Sequence, residues 1–327
     1  MKRISLFAIL ILMGIILWRC DQERVEPLSS EMVEELTLLP STSTGIGYIN
    51  IVSLRESPFF SMLKERWENR HFHSDEYQEF MKATGLDLRK DINEIYLGLV
   101  TNKMKDEPSV LMLIHGNFNQ DKIMDYISQQ DEDHNIEKET IEDFVLYVIN
   151  KDEVAFSFVS DKRVVLGNAS LMRDWLEKYK QRQKTQIQPE LLRCIQQLKY
   201  KSGVWFIFNA EEVIQKMMEE IEKHPEGSRF SGLKNIRDVN FSMRANDQLR
   251  FSGLGNFSDS ENAELFRDAV KGFIATMKLS MSEDRGAVDV LNKITVKVRN
   301  NQVLMDFEMN QEDIEKLKKH KPKIAFL

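Results

Sequence analysis

The residue types that most often bind metal ions come together once in the sequence, as His71-Phe-His73 followed by Asp75 and Glu76. Imidazole nitrogens and carboxylate oxygens are zinc ligands, and alternate residues of an extended segment can face one ion. These side chains, however, lie at a helix end among other charged residues, which is typical of a solvated surface. We therefore predict no metal site and no cofactor.

The side chains that could act as nucleophiles lack activating neighbours. No serine stands in a nucleophile-elbow context, and Cys194 lies in a helical pattern over residues 189–198 with no histidine beside it in the sequence. We interpret this thiol as half-buried helix packing. Acidic pairs such as Asp131 and Asp133 are expected to be solvated loop charges. The sequence thus predicts no catalytic residues and a protein that is not an enzyme. An enzyme whose site is dispersed in the sequence is the alternative.

The N-terminus has the pattern of an export signal. Lys2 and Arg3 precede an uncharged apolar run over residues 4–18. This run fits the roughly 7–15 residues of a signal-peptide core better than the about 17–25 of a spanning helix. The basic flank stays in the cytoplasm, which sends the rest of the chain outward. We predict a signal peptide or signal anchor over residues 1–19.

Cys20 is the predicted point of attachment to the membrane. Leu17-Trp18-Arg19-Cys20 resembles a bacterial lipobox, with leucine three residues before the cysteine, although Trp18 and Arg19 replace its usual small residues. Lipidation of Cys20 and an uncleaved signal anchor both tether the chain in the same orientation. Residues 20–40 are polar and acidic, and we predict that they form a spacer.

The composition indicates a globular protein and argues against nucleic acid as a partner. Apolar residues make up 42% of the 327 residues and charged residues 30%, with a formal net charge of -7. Nucleic-acid binding needs a basic face to meet phosphates. We therefore expect no nucleic-acid partner.

Strands and helices are predicted throughout the body from β-rich runs, hairpin turns, capping residues and helical spacing. The predicted strands are 45–52, 92–101, 109–116, 144–149, 154–160, 163–166, 203–208, 238–244, 248–255, 293–299 and 303–309. The predicted helices are 30–38, one that starts at residue 57, 74–84, 119–129, 169–180, 189–198, 210–223, 260–281 and 311–319.

The two halves of the body resemble each other, which predicts an internal duplication of residues 41–185 in residues 186–327. Each half begins with a strand that feeds a helix, Gly47-Tyr-Ile-Asn-Ile in one and Gly203-Val-Trp-Phe-Ile in the other. Each also contains a hairpin whose second strand ends in the same three residues. These residues are Gly116, Asn117 and Phe118 in the first half, and Gly255, Asn256 and Phe257 in the second. We interpret them as structural: glycine lets the chain leave the strand, and phenylalanine packs under the next helix.

The predicted fold class is α+β. The repeating unit is strand–helix–hairpin–helix–hairpin–helix, which gives a mostly antiparallel sheet with helices packed on one face. The sequence leaves open whether the two units share one sheet or lie side by side.

The start of the body resembles a known family. Residues 39–59, Leu-Pro-Ser-Thr-Ser-Thr-Gly-Ile-Gly-Tyr-Ile-Asn-Ile-Val-Ser-Leu-Arg-Glu-Ser-Pro-Phe, look like the opening of a set of uncharacterised bacterial envelope proteins catalogued as domains of unknown function. Those proteins also repeat a strand that ends in Gly-x-Phe before a helix. The resemblance implies an exported, tethered, duplicated α+β protein, and it carries over no catalytic residues.

These observations predict a membrane-anchored protein of the cell envelope, with its body on the periplasmic side. We expect a non-enzymatic binding or assembly module whose partners are the membrane and other envelope proteins or lipid. A periplasmic carrier with an apolar ligand in a cleft between the repeats is an alternative function.

Overall fold

One antiparallel sheet organises the protein. The computed structural model describes residues 26–60, 74–101, 108–129, 136–149, 154–211 and 235–319. The described strands form a single twelve-stranded sheet. They are β1 (Gly45–Asn50), β2 (Ile92–Val100), β3 (Ser109–Gly116), β4 (Glu137–Ile141), β5 (Phe144–Ile149), β6 (Val154–Ser160), β7 (Arg163–Gly167), β8 (Val204–Asn209), β9 (Ile236–Ala245), β10 (Leu249–Phe257), β11 (Thr295–Arg299) and β12 (Gln302–Met309).

The helices connect these strands or flank the sheet. They are α1 (Ser30–Leu36), α2 (Ile51–Glu56), α3 (Asp75–Thr84), α4 (Leu88–Asp91), α5 (Gln120–Gln129), α6 (Ala169–Lys180), α7 (Pro189–Gln197), α8 (Ser260–Ser280), α9 (Arg285–Asn292) and α10 (Gln311–Lys319).

The sheet is built outward from a central pair of strands. The order across it is β11-β12-β10-β9-β8-β1-β2-β3-β7-β6-β5-β4. β1 and β8 are the first strands of the two predicted repeats, and they pair directly, with Tyr48 opposite Trp205. Both halves therefore belong to one sheet. The α+β class with a large antiparallel sheet is confirmed.

Several helix ends lie where capping residues predicted them. Ser74 precedes α3 and its side chain accepts a hydrogen bond from the Tyr77 amide at 3.2 Å. Gly85 ends this helix with a φ of 75°, a left-handed conformation that glycine adopts without a Cβ penalty. Asn119 accepts from the Lys122 amide at 3.1 Å at the start of α5. Local hydrogen-bonding chemistry was sufficient to predict these boundaries.

The helices pack on both faces of the sheet, so the prediction of a single helical face is wrong. Successive strand residues point to opposite faces. In β6, Ala155 belongs to one core cluster, with α1, α6 and α7. The next residue, Phe156, belongs to another cluster, with α5 and partly buried residues of α3. β6 and its neighbours are apolar on both sides and therefore need cover on both.

The stretch assigned to a spacer contacts the body from Glu26 onward, where Glu26 pairs with Arg244 and accepts from the Lys201 and Ser202 amides at 2.8 and 3.0 Å. Met32, Leu36 and Leu39 are at most 5% exposed and belong to the main core cluster. In α1 the buried side carries Met32 and Leu36 together with Glu35, and the exposed Glu31 and Glu34 account for the rest of the acidic composition. The Thr185 hydroxyl also donates to the Thr37 and Leu39 carbonyls at 2.7 and 2.6 Å. Residues 30–39 are thus part of the folded unit.

Other elements differ from the expectation or lie outside the described residues. β4 (Glu137-Lys-Glu-Thr-Ile) was missed because its residues are mostly charged, and the short helices α2, α4 and α9 were also missed. The predicted helices after residues 57 and 211, the N-terminal segment and Cys20 lie outside the described ranges. Within those ranges, no helix combines the length and the apolar character that crossing a bilayer requires.

Candidate functional site

An open cleft of about 690 Å³ lies where β1, β2 and β3 end. Its lining comes from the β1–α2 junction, the start of β2, the end of β3 and the β6–β7 turn. The residues are Asn50, Val52, Ser53, Glu56, Asn93, Glu94, His115, Gly116, Asn117 and Lys162. The volume is in the range of small-molecule sites, but the lining is mixed polar and apolar.

Glu94, at the edge of this cleft, binds two buried tyrosines. The Tyr48 hydroxyl donates to Glu94 Oε1 at 2.8 Å, and the Tyr96 hydroxyl donates to Oε2 at 3.2 Å. Tyr48 and Tyr96 are each 2% exposed, and their ring centroids are 5.0 Å apart. Burial raises the pKa of both tyrosines, and the negative charge of Glu94 raises it further. Both hydroxyls therefore stay protonated as donors at neutral pH.

A second carboxylate, Glu35 of α1, binds the cationic end of β7. Glu35 is 9% exposed, and its Oε1 accepts from Arg163 Nη2. Its Oε2 lies 3.1 Å from His115 Nε2. The same ring nitrogen lies 3.2 Å from Arg163 Nε, so whether it donates or accepts depends on the tautomer. Arg163 Nη1 also donates to the Tyr179 hydroxyl of α6 at 3.1 Å.

Strand register brings these two groups into one band, which we call the cross-sheet row: Trp205, Tyr48, Tyr96, Glu94, His115, Arg163 and Glu35. Tyr48 is paired with Trp205 on one side and with Tyr96 on the other. His115 is paired with Glu94 and with Arg163. The Tyr96 and His115 rings are 5.4 Å apart. The row thus crosses β8, β1, β2, β3 and β7, and α1 closes it.

The row is arranged for binding its own members. Three of the four carboxylate oxygens of Glu35 and Glu94 accept from internal donors, and the fourth, Glu35 Oε2, lies 3.1 Å from His115 Nε2. A general base or a metal ligand needs an oxygen directed at a substrate or an ion. Within the described residues, no group of three His, Cys, Asp or Glu side chains is placed to hold a metal ion.

The first predicted repeat element, Gly116 to Phe118, lies beside the cleft. Gly116 ends β3, and a Cβ there would lie 2.4 Å from the Asp91 carbonyl oxygen and 3.0 Å from the Phe118 ring. The Phe118 amide donates to the Asp161 carbonyl at 2.9 Å. Its ring packs with the cluster that includes Ile123 of α5.

The second element, Gly255 to Phe257, lies within β10 and outside the cleft. A Cβ on Gly255 would lie 3.3 Å from the Phe257 ring. Phe257 is fully buried, and its ring centroid is 5.2 Å from that of Phe266 in α8. The Asn256 side-chain amide donates to Asp238 of β9. The two elements are therefore not brought together into one site.

The other candidate residues are scattered. Cys194 is fully buried on α7, and burial together with the nearby Asp238 raises the pKa of its thiol to about 12. His71, His73, Asp131, Asp133 and Cys20 lie outside the described residues.

The opposite face of the central strands carries an aromatic row, Phe206, Phe241 and Phe251, from β8, β9 and β10. Adjacent ring centroids are 5.2 and 5.8 Å apart, and all three side chains are half-buried. Gly47 of β1 makes room for this row, since a Cβ there would lie 2.4 Å from the Phe206 ring. Phe206 follows Trp205 in the strand, so the aromatic row and the cross-sheet row lie on opposite faces.

Comparison with known proteins gives a likeness in fold. No protein-family model matches the chain, and no curated protein matches it. Among solved structures, crystal form III of TP0453 matches with a TM-score of 0.51 and 9% identity, over 87% of this chain and 97% of that chain. Crystal form I of TP0453 has a TM-score of 0.48 and 10% identity, over 87% of this chain and 96% of that one. The first match shows an α+β fold with a large antiparallel sheet, and at this identity it shows the fold alone.

Sequence reasoning missed Glu35, Tyr48, Glu94 and Arg163. They come from one helix and three strands, and no local spacing relates them. One signal was available: Glu94 and Arg163 are charged residues in strands that are otherwise mostly apolar. A charge in such a strand needs a buried partner, but the partner's identity depends on the register.

Proposed function

We propose that the protein is a membrane-tethered, exported envelope protein that acts as a non-enzymatic binding or assembly module. The tether is Cys20, or the uncleaved segment before it, and the body lies on the periplasmic side. The resemblance of residues 39–59 to uncharacterised bacterial envelope proteins supports the same assignment.

One observation carries the non-enzymatic part of this proposal. Two carboxylates at the main cleft are engaged internally: Glu94 accepts from Tyr48 and Tyr96, and Glu35 contacts Arg163 and His115. The cleft otherwise presents the side chains of Ser53, Asn93, Asn117 and Lys162 and one exposed carboxylate, Glu56. Such groups suit recognition of a partner better than proton transfer.

Mass spectrometry of the natively expressed chain tests the tether. We expect a mature N-terminus at Cys20 that carries acyl mass, and loss of that mass in Cys20→Ala. An intact Met1 would show that the tether is an uncleaved signal anchor and not a lipid. A chain that is released from membranes in both forms would contradict the tether itself.

Site-specific photo-crosslinking in native membranes tests the binding surface. A photoreactive residue in place of Lys162, at the cleft rim, should capture a discrete partner. The same residue in place of Lys122, exposed on α5 and outside the cleft lining, is the matched control. Equal or absent capture at the two positions would count against the cleft as the binding surface.

We also propose that the body arose by duplication, and the strand order supports this. From the centre outward the halves run β1-β2-β3-β7-β6 and β8-β9-β10-β12-β11, and the first half adds β5 and β4. The Phe118 amide donates to the β6–β7 turn at Asp161, and the Phe257 amide donates to the β11–β12 turn at Asn301, both at 2.9 Å. Corresponding residues thus make corresponding contacts.

The alignment of the repeats that fits these contacts differs from the one that matches Gly47 with Gly203. Matching Gly47 with Gly203 pairs Tyr48 with Val204, which point to opposite faces of the sheet. Matching Asn50 with Asn209 keeps the faces, and each asparagine accepts from an amide that follows its strand, at 2.8 and 3.1 Å. A superposition of experimentally determined halves in this register, with no better register found, is the test.

A second candidate function, a carrier of an apolar ligand, is favoured by the aromatic row. Half-buried aromatic rings in a line offer a surface for an acyl chain. Native mass spectrometry of the chain purified from membranes should then detect bound lipid, and Phe241→Asp should reduce it. A chain free of lipid before and after incubation with lipid vesicles would exclude this function.

A further inference from the structure

The long helix α8 has two apolar faces, and the described residues cover only one of them. Phe266, Val270 and Ile274 pack against the sheet cluster around Phe257. Leu265, Phe273 and Leu279 are 60%, 66% and 76% exposed. These are the three most exposed large apolar side chains among the described residues. Clustered exposure of this kind marks an interaction surface.

The exposed residues form one stripe. Leu265, Gly272 and Leu279 are spaced by seven residues, so they fall nearly in line along the helix, with Ala269, Phe273 and Thr276 beside them. A Cβ on Gly272 would have no atom within 4 Å, so the centre of the stripe is open to another backbone. The 21-residue helix is about 31 Å long, enough for the stripe to form an extended contact.

We propose that this stripe binds the same stripe of a second copy of the chain, with the two α8 helices antiparallel and a two-fold axis at Gly272. Symmetry of the stripe about its centre is the reason. A two-fold contact must place each residue against its counterpart from the other copy. Here Leu265 of one copy meets Leu279 of the other on both sides of the paired glycines.

Charge supports this partner and this orientation. The N-terminal half of α8 carries Glu261 and Glu264 and an Arg267–Asp268 pair that adds no net charge, and the C-terminal half carries Lys271 and Lys278. An antiparallel pair sets acidic halves beside basic halves, whereas a parallel pair sets like charges together. Helices that lie on membranes instead carry a polar face rich in Lys and Arg. The contact is independent of the tether and of the binding function proposed above.

Disulfide crosslinking of the full chain in its native membranes tests the proposal. Gly272→Cys places thiols on the two-fold axis, and the open space around Gly272 accommodates the side chain. Lys271→Cys, on the next residue but on another side of the helix, is the matched control. The unmodified chain reports any crosslinking through Cys20. With a mild oxidant, Gly272→Cys should give a reducible dimer at twice the chain mass, and Lys271→Cys should not.

Leu265→Asp in the Gly272→Cys background should lower dimer formation about tenfold, because it places a charge in the apolar contact. Leu265 is exposed, so the change should leave the fold of the chain intact, and circular dichroism checks this. Equal crosslinking from Gly272→Cys and Lys271→Cys would overturn the proposal. A second result would also overturn the proposal. If no dimer forms and lipid vesicles protect the introduced thiol from a water-soluble maleimide, the stripe binds a membrane.

Discussion

At the scale of single residues, two carboxylates, Glu35 and Glu94, hold together the polar contacts that cross the sheet. Glu35 and Glu94 are far apart in the sequence, yet both lie along the cross-sheet row and both accept from buried donors. Removing a donor from such a group leaves a desolvated charge without a partner, which is costly. The residues of the row therefore couple the ionisation of side chains to the stability of the fold.

The two tyrosines predict a loss of stability at alkaline pH. Their pKa is raised in the folded state, so their contribution is complete below the unfolded value of about 10 and is lost as the pH rises through the folded value. Urea unfolding between pH 8 and pH 11 should show a smaller decline for Tyr96→Phe than for the unmodified chain. At pH 8 the variant should cost about 1 kcal/mol, for one lost hydrogen bond. Identical pH slopes would contradict the prediction.

The Cys194 thiol should be inert in the folded protein. It is fully buried, and its pKa of about 12 leaves little thiolate at pH 8. In a Cys20→Ala background, a chromogenic thiol reagent should detect no thiol before urea is added and one thiol after. Rapid modification of the native chain would show that the helix around Cys194 opens readily.

At the scale of elements, capping residues decided where helices begin, and distant side chains decided where they pack. α1 has an unremarkable sequence, but Glu35 and two apolar residues, Met32 and Leu36, join it to the body. α8 shows the converse, because its sequence carries more apolar residues than its position against the sheet can cover. An element's role therefore follows from what each of its faces meets.

Arg163→Met should detach α1 from β7. The change leaves Glu35 buried without its guanidinium, and loss of one partner of a buried pair costs about 3 kcal/mol. Arg173→Met is the control, because Arg173 pairs with Glu139 where both side chains are about one-third exposed, and such pairs contribute less than about 1 kcal/mol. Urea unfolding, with hydrogen exchange of the α1 amides, measures both. Equal effects of the two changes would refute the assignment.

Two glycine-to-alanine changes should have opposite signs. Gly85 has a φ of 75° at the end of α3, so Gly85→Ala should destabilise the protein by about 1 kcal/mol. In the single chain Gly272 lies in the exposed interior of α8, so Gly272→Ala should stabilise the monomer by a few tenths to about 1 kcal/mol. Thermal unfolding of the two variants side by side is the measurement. A shift of the same sign in both would show that helix conformation is not the controlling factor.

At the scale of the whole molecule, the sequence predicted most strands and helices, the antiparallel pairing and the class. It could not predict that β1 pairs with β8, because Tyr48 and Trp205 meet only through a contact between the two halves. The adjacent apolar residues Ala155 and Phe156 did indicate cover on both faces of the sheet, and the prediction of a single helical face overlooked this signal. The cross-sheet row could not be predicted from the sequence either, because its members become neighbours only through the strand register.

The two halves should not fold separately. The main core cluster contains Ile46 and Leu176 from the first half and Ile195 and Trp205 from the second. Division at residue 185 would also expose β1 and β8 as unpaired edges. Chains 26–185 and 186–319 should each give poorly dispersed NMR spectra, whereas the joined chain unfolds in one cooperative transition. A fragment with native-like dispersion would demonstrate an independent domain.

The position of α1 has a mechanical consequence. A pull on the chain before residue 26 reaches the sheet first through Glu26 and Arg244, then through Glu35 and Arg163, and finally through β1. The helix would be peeled away one contact at a time, whereas the hydrogen bonds between β1 and its neighbours would be loaded together. Under force, the Glu26 contacts and then α1 should therefore yield before the sheet does, extending the chain while the strands stay paired.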